Sequence, residues 1–178
     1  MKAGLILIIS ISAMLISATT VYAGENTKSS ANAVMKDAKG NTVGLATFTE
    51  ECNGLVRINV NVKGLTPGLH GIHIHEKGDC AGPTFTSAGG HYNPLGKEHG
   101  LKNPEGPHAG DLPNLKVGED GRGCMNVTTD LVTLSPGPTT LFPANGTALI
   151  IHAGPDDQIT DPAGDSGSRI VCGVIEKK

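Results

Sequence analysis

Tryptophan is absent, and the 178 residues include only three phenylalanines and two tyrosines. With so little aromatic surface, any hydrophobic core must be packed by Val, Ile and Leu. Positive charge is also scarce: 14 Lys and Arg stand against 17 Asp and Glu. A chain that is net negative lacks the general attraction for phosphate backbones, which excludes nucleic acid as a partner. No stretch of helical period, internal repeat or low-complexity tract is present. No two of the four cysteines have the close spacing of a zinc knuckle, which argues against a zinc-thiolate site. The one long apolar run, Ala3 to Ser17, falls short of the ~20 residues that span a bilayer.

That run has another use. Met1-Lys2 is a short basic start, and Val21-Tyr22-Ala23 ends in the small-x-small pattern that signal peptidase cuts. The expectation is a secretory signal peptide over residues 1–23 and an exported mature chain, 24–178, with no lipid-attachment cysteine and no membrane association after cleavage. Cleavage removes Lys2 alone among the charged residues, leaving 13 basic against 17 acidic side chains. The mature length suits one domain with a real core. Export also suits Cys52, Cys80, Cys124 and Cys172, because an oxidising compartment preserves disulfides. Four cysteines allow three complete connectivities, and spacing does not choose among them.

From Ala31 onward the pattern is short strands and turns. The expected strands are 31–36, 42–49, 56–62, 71–75, 114–117, 123–129, 147–152 and 169–174. Breakers such as Lys39-Gly40-Asn41, Asn53-Gly54, Asp120-Gly121 and Pro136-Gly137-Pro138 separate many of them. About eight strands with hairpin punctuation imply an all-β, antiparallel Greek-key sandwich or flattened barrel. Two segments do not read as strands: 76–113 and 153–168 are long and rich in Gly, Pro, Asp and Asn. Loops of this length either bind something or are disordered, and the first contains most of the candidate ligands, so a metal would supply its order.

Six of the seven histidines fall between His70 and His108. On an extended strand His73 and His75 point the same way, roughly 7 Å apart at their Cα atoms, so both can reach one ion. The alternation sends Ile72 and Ile74 into the core. His91, His99, His108 and Asp111 follow at intervals of eight, nine and three. Three imidazoles and a carboxylate are enough for a closed four-coordinate zinc site. His152 ends the apolar strand Ala148-Leu149-Ile150-Ile151, where it can bring a third imidazole to the His73/His75 ion. An all-nitrogen site of tetragonal shape suits copper, and a zinc-only reading of the same residues stays open.

The runs Gly68–Glu76, Gly89–Pro94, His108–Leu112 and Gly167–Val174 together resemble copper/zinc superoxide dismutase across nearly the whole mature chain. The signal peptide and the shortened, lysine-free stretch after His152 look most like the exported, periplasmic bacterial branch. The resemblance implies copper held by His73, His75, His91 and His152, and zinc held by His91, His99, His108 and Asp111. His91 would then bridge the two ions. The reaction implied is the disproportionation of superoxide to oxygen and hydrogen peroxide, an antioxidant defence, with His91 and Arg169 as catalytic residues. Arg169 matches the anion-guiding arginine, whose local charge would oppose a net negative protein; Lys77 reads as an ordinary surface lysine.

Asp156 falls where the family has a carboxylate linking a copper-ligand and a zinc-ligand imidazole, with Asp157 the alternative beside it. Cys80 and Cys172 fall at the family's intrasubunit disulfide. Cys52 and Cys124 lie outside that pattern. Parity argues that they pair; the Greek-key order, which puts their hairpins at opposite barrel ends, argues more strongly that they do not. His70 has a structural counterpart in the family, and a homodimer is left open.

Overall fold

The computed structural model describes residues 29–178, so the signal peptide expected over 1–23 lies outside the described residues. Strict alternation builds the barrel wall. Strand β3 (Val56–Lys63) turns Val56, Ile58, Val60 and Val62 inward and Arg57, Asn59, Asn61 and Lys63 outward. Strands β1 (Ser30–Asp37) and β2 (Thr42–Glu50) add Ala31, Ala33, Met35, Ala46 and Phe48 to the same core. Phe48 is the one phenylalanine fully buried there, and the rest is mainly aliphatic, as the composition requires. Burying each large side chain contributes about 1.5–3 kcal/mol.

The remaining strands are β4 (Gly68–His70), β5 (Ile72–His75), β6 (Leu115–Val117), β7 (Arg122–Thr129), β8 (Ala148–His152), β9 (Arg169–Val174) and β10 (Glu176–Lys177). They form one antiparallel sheet in the order β4-β6-β7-β3-β2-β1-β9-β8-β5, with β10 paired to β1. The two ends of that order are consecutive in sequence. Only Gly71 separates β4 from β5, so a single bent segment joins both edges and nearly closes the sheet into a barrel. A Cβ at Gly71 would sit 2.7 Å from the Ser166 Cβ and 3.2 Å from His73 Cε1, so the bend requires glycine.

All eight expected strands are present and the Greek-key barrel holds. The two additions, β4 and β10, are three and two residues long, too short to show a period. Among the described residues no helix is long and apolar enough to cross a membrane.

Strand β8 is buried on both faces, which explains its continuous apolar run. Leu149 and Ile151 face the barrel core. Ala148 and Ile150 face a smaller cluster with Phe85, Ala88 and Cys172, supplied by the long loop 76–113 and by β9. His152 shares this outer face.

Candidate metal centre

Strand pairing positions the first histidines. Antiparallel register sets His73 opposite Ile150 and His75 opposite Ala148, so both imidazoles lie on the outer face that β8 extends to His152. The other edge of β5 is occupied by the long loop. Ile74 N–H donates to Gly110 O, Tyr92 N–H donates to Ile74 O and Gly110 N–H donates to Tyr92 O, at 2.8–2.9 Å. These bonds bring His91 beside His75 and Asp111 beside His73 as isolated bridges.

One donor atom from each of His73, His75, His91 and His152 lies within 4.8 Å of the other three, and all four residues are buried. Each ring has one nitrogen already engaged. His75 Nδ1 donates to Gly89 O and His152 Nδ1 donates to Gly167 O, both at 3.0 Å. His73 Nε2 lies 2.7 Å from Asp156 Oδ2, and His91 Nδ1 lies 3.0 Å from Asp111 Oδ1. The opposite atoms, His73 Nδ1, His75 Nε2, His91 Nε2 and His152 Nε2, are buried without a hydrogen-bond partner.

Burial holds these rings neutral: it pushes His73 down to about 3, His75 to about 2 and His152 to about 4, and lowers His91 against the pull of Asp111. Four converging lone pairs repel one another and satisfy nothing in the protein. An all-nitrogen donor set of this kind suits a copper ion.

A second set adjoins the first. Asp111 Oδ1 lies 3.0 Å from His91 Nδ1, 3.0 Å from His99 Nδ1 and 3.5 Å from His108 Nδ1, and the His91 and His108 Nδ1 atoms are 3.4 Å apart. A tetrahedron with zinc bonds of about 2.0–2.1 Å has edges of roughly 3.3 Å, so this cage has the size of a zinc site. A donor of His73 also falls within 4.8 Å of His91, His99 and Asp111. Its Nε2 is committed to Asp156 and its Nδ1 belongs to the first set, while His108 Nδ1 adjoins the same cage.

Asp111 Oδ2 accepts from Gly100 N–H and His108 N–H, fixing Oδ1 toward the rings. Burial would raise its pKa, but bonds from His108, His91 and His99 hold it far below the usual carboxylate range. Burial likewise opposes protonation of His99, yet Asp111 and Asp156 together raise it to about 9.

The loop 153–168 closes over both sets. Asp156 reaches His73 through Oδ2 and His99 Nε2 through Oδ1, the latter at 3.1 Å. Asp157 instead accepts from Ile159 N–H and Thr160 N–H within its own turn. Gly164 has φ +60°, and a Cβ there would run into Asp156 Oδ1 and lie 2.8 Å from His99 Nε2. Arg169, half-buried, donates from Nη1 to Phe85 O at 2.7 Å and from Nη2 to Gly89 O at 2.6 Å. Burial lowers its pKa, but a guanidinium, delocalised and strongly basic, stays charged.

A disulfide joins Cys80 to Cys172, tying the same loop to β9. Cys124 lies on β7, where its thiol donates to Asn61 Oδ1. The turn that holds Cys52 is about five residues, or ~17 Å, farther along the paired strands, so these two cysteines do not bridge. His70 belongs to neither set: its Nδ1 faces His152 O at 2.7 Å and its Nε2 faces Thr66 O at 2.9 Å. Lys77 is exposed.

Three further residues shape the centre without any sequence signal that marks them. Asn114 donates to Asp156 O and accepts from Asp156 N–H. Asp161 accepts from His99 N–H and lies 3.7 Å from His108 Nε2. Gln158 donates to Asp156. Each is one polar residue in a polar stretch; the partners of Asn114 and Asp161 are decided by how the two loops meet, and that of Gln158 by the turn of its own loop.

Known proteins point the same way. A family model for copper/zinc superoxide dismutase matches residues 42–175. "Superoxide dismutase [Cu-Zn] 2" of Aquifex aeolicus is 50% identical over 147 residues, covering 82% of this chain and 85% of that one. The structure of Cu/Zn superoxide dismutase from Brucella abortus superposes with a TM-score of 0.68 at 34% identity, covering 83% of this chain and 99% of that one. A SOD-like protein from Bacillus subtilis superposes with a TM-score of 0.77 at 42% identity, over 80% and 96%. With matches of this extent in sequence and structure around one donor geometry, the chain belongs to the copper/zinc superoxide dismutase family.

Proposed function

We propose that His73, His75, His91 and His152 hold copper, that His91, His99, His108 and Asp111 hold zinc, and that the protein disproportionates superoxide to oxygen and hydrogen peroxide. The observation that carries the reading is the set of four buried, partnerless ring nitrogens, His73 Nδ1, His75 Nε2, His91 Nε2 and His152 Nε2. A fold that only carried a zinc staple would have no use for them. Copper, when bound, supplies the one-electron couple that oxidises one superoxide and reduces the next.

The chain supplies the rest. Arg169 presents the N–H groups not used on Phe85 O and Gly89 O as a positive end point for a small anion beside His75 and His152. Those two loop carbonyls fix the height of the guanidinium. The His91 ring spans the two sets: its Nε2 can hold a proton between the half-reactions, while Asp111 keeps Nδ1 directed the other way. Asp156 holds His73 in the tautomer whose Nδ1 is a donor to metal. Every donor comes from one chain, so the reading applies to a monomer as to a homodimer.

The disulfide and bacterial relatives are compatible with export. We place the mature chain, 24–178, in the periplasm, supported by the signal-like residues 1–23.

A second reading is a module that binds metal without turnover. It is separated by measuring metal content and superoxide dismutation together on the purified mature protein. One copper and one zinc per chain with cyanide-sensitive activity above that of free copper supports the enzyme. The same metals without that activity leave the binding module.

A further inference from the structure

We infer that Gln158 is a positioning residue of the metal centre: it locks Asp156 so that one carboxylate can hold the copper-side His73 and the zinc-side His99 at once. The inference rests on the ligand assignment proposed above. A carboxylate has about four lone-pair sites, two on each oxygen. On Asp156 all four are occupied by two residue types in a regular pattern. Oδ2 faces His73 Nε2 at 2.7 Å and accepts from Gln158 Nε2 at 2.6 Å. Oδ1 faces His99 Nε2 at 3.1 Å and accepts from the Gln158 backbone N–H at 2.6 Å. Each oxygen thus takes one imidazole and one group of Gln158.

The second observation is the position of Gln158 itself. Its side chain is buried, with 6% of the residue exposed, and its amide also lies 3.3 Å from Leu112 O, next to the zinc-side carboxylate Asp111. Its backbone has φ +67°, the left-handed region that glycine favours and glutamine does not. Such a conformation persists where the surroundings over-determine it. From this turn both the N–H and the side-chain amide reach the same carboxylate.

A second donor on Oδ2 also divides the charge of that oxygen. It favours His73 keeping its Nε2 proton, so the ring stays a neutral ligand with Nδ1 free. Packing alone does not explain the choice of residue. An apolar side chain would fill the same volume without burying an amide whose Oε1 has no partner.

The test compares full-length mature protein carrying Gln158→Leu or Gln158→Glu with the parent, each loaded with copper and zinc. Leucine removes the donor and keeps the bulk; glutamate at neutral pH turns the donor into a second carboxylate. Zinc affinity, measured by competition with a chelator, should fall about 10- to 100-fold in Gln158→Leu and further in Gln158→Glu. The copper(II) hyperfine pattern in electron paramagnetic resonance should shift in the same order, a change that a purely packing role would not produce.

Parental zinc affinity and an unchanged copper spectrum in both variants would overturn the inference. Failure of the parent itself to bind both ions would overturn the ligand assignment instead. If both variants fail to fold, the side-chain amide of Gln158 in the zinc- and copper(I)-loaded parent decides. A side-chain amide proton shifted downfield and slow to exchange with solvent supports the lock; amide protons at unperturbed shifts that exchange rapidly overturn it.

Discussion

The two donor sets are neighbours built on opposite plans. His73, His75 and His152 stand on adjacent strands, and the spare N–H of both His75 and His152 goes to a backbone carbonyl. His99, His108 and Asp111 sit in a loop with no strand of its own and gather around a carboxylate. The strand set is neutral and stays neutral, because burial leaves its imidazoles no way to take up a proton cheaply. The loop set carries its own negative charge, and His99 can answer that charge by protonating. Sheet hydrogen bonds therefore preorganise the first set, and electrostatics organises the second. A rigid neutral frame suits an ion whose charge alternates, and a charged cage suits one whose charge is fixed.

The largest expected effect breaks the strand set alone. His152→Ala should lower dismutation by more than about 100-fold, beyond the loss typical of an outer partner, while zinc content stays at the parental level. Activity near that of the parent would remove His152 from the assignment. Next is the converse change. Asp111→Ala should release zinc and raise amide hydrogen exchange across 76–113, with β5 and β8 still protected; uniform exchange in both regions would erase the contrast between them.

Reduction of Cys80–Cys172 comes third. The bridge spans 92 residues, which in the chain-entropy picture corresponds to about 4 to 5 kcal/mol, read from denaturant unfolding with and without reductant. A loss well below 1 kcal/mol would mean that the loop is held by Arg169 and the metals instead.

A fourth test separates the sets by pH in chelator-treated protein. His73 and His152 have folded pKa values of about 3 and 4, below 6.5, so the unfolded chain binds more protons in that window. Stability should therefore fall as pH drops from 6.5 toward 4, at up to about 1.4 kcal/mol per unit for each group. His99, raised to about 9, has the opposite sign: its contribution is present below pH 6.5 and lost as pH rises toward 9. Thermal melts across pH 4–9 should show a maximum between these limits, and a monotonic profile would contradict one of the two signs.

Much of this was legible in the amino-acid sequence, for identifiable reasons. Alternation in Val56–Lys63 encodes which face is buried, and alternation in Ile72–His75, a strand buried on both faces, separates the core isoleucines from the histidine pair, so those strands and the direction of His73 and His75 could be read directly. Scarce histidines at ligand-like spacing marked the loop set, and resemblance in four blocks supplied the division of ligands between two metals. The bend at Gly71 was harder to see, because a glycine between two short strands looks like the start of one. Asn114, Gln158 and Asp161 were invisible for a different reason. The partners of Asn114 and Asp161 lie 42 and 62 residues away, across a meeting of two loops, whereas Gln158 reaches Asp156 two residues back within a single turn that no strand or helix period marks.

The hydrogen bonds from Ile74 and Tyr92 along the outer side of β5 have a further consequence. Strand β5 ends the sheet order, so without the loop its N–H and C=O groups would form a bare edge, the kind of surface on which a second copy can add a strand. Residues 91–92 and 110–111 therefore also cap the hydrogen-bonding edge of β5. The segment that gathers the metal donors thus also completes the hydrogen bonding of the last strand in the sheet order.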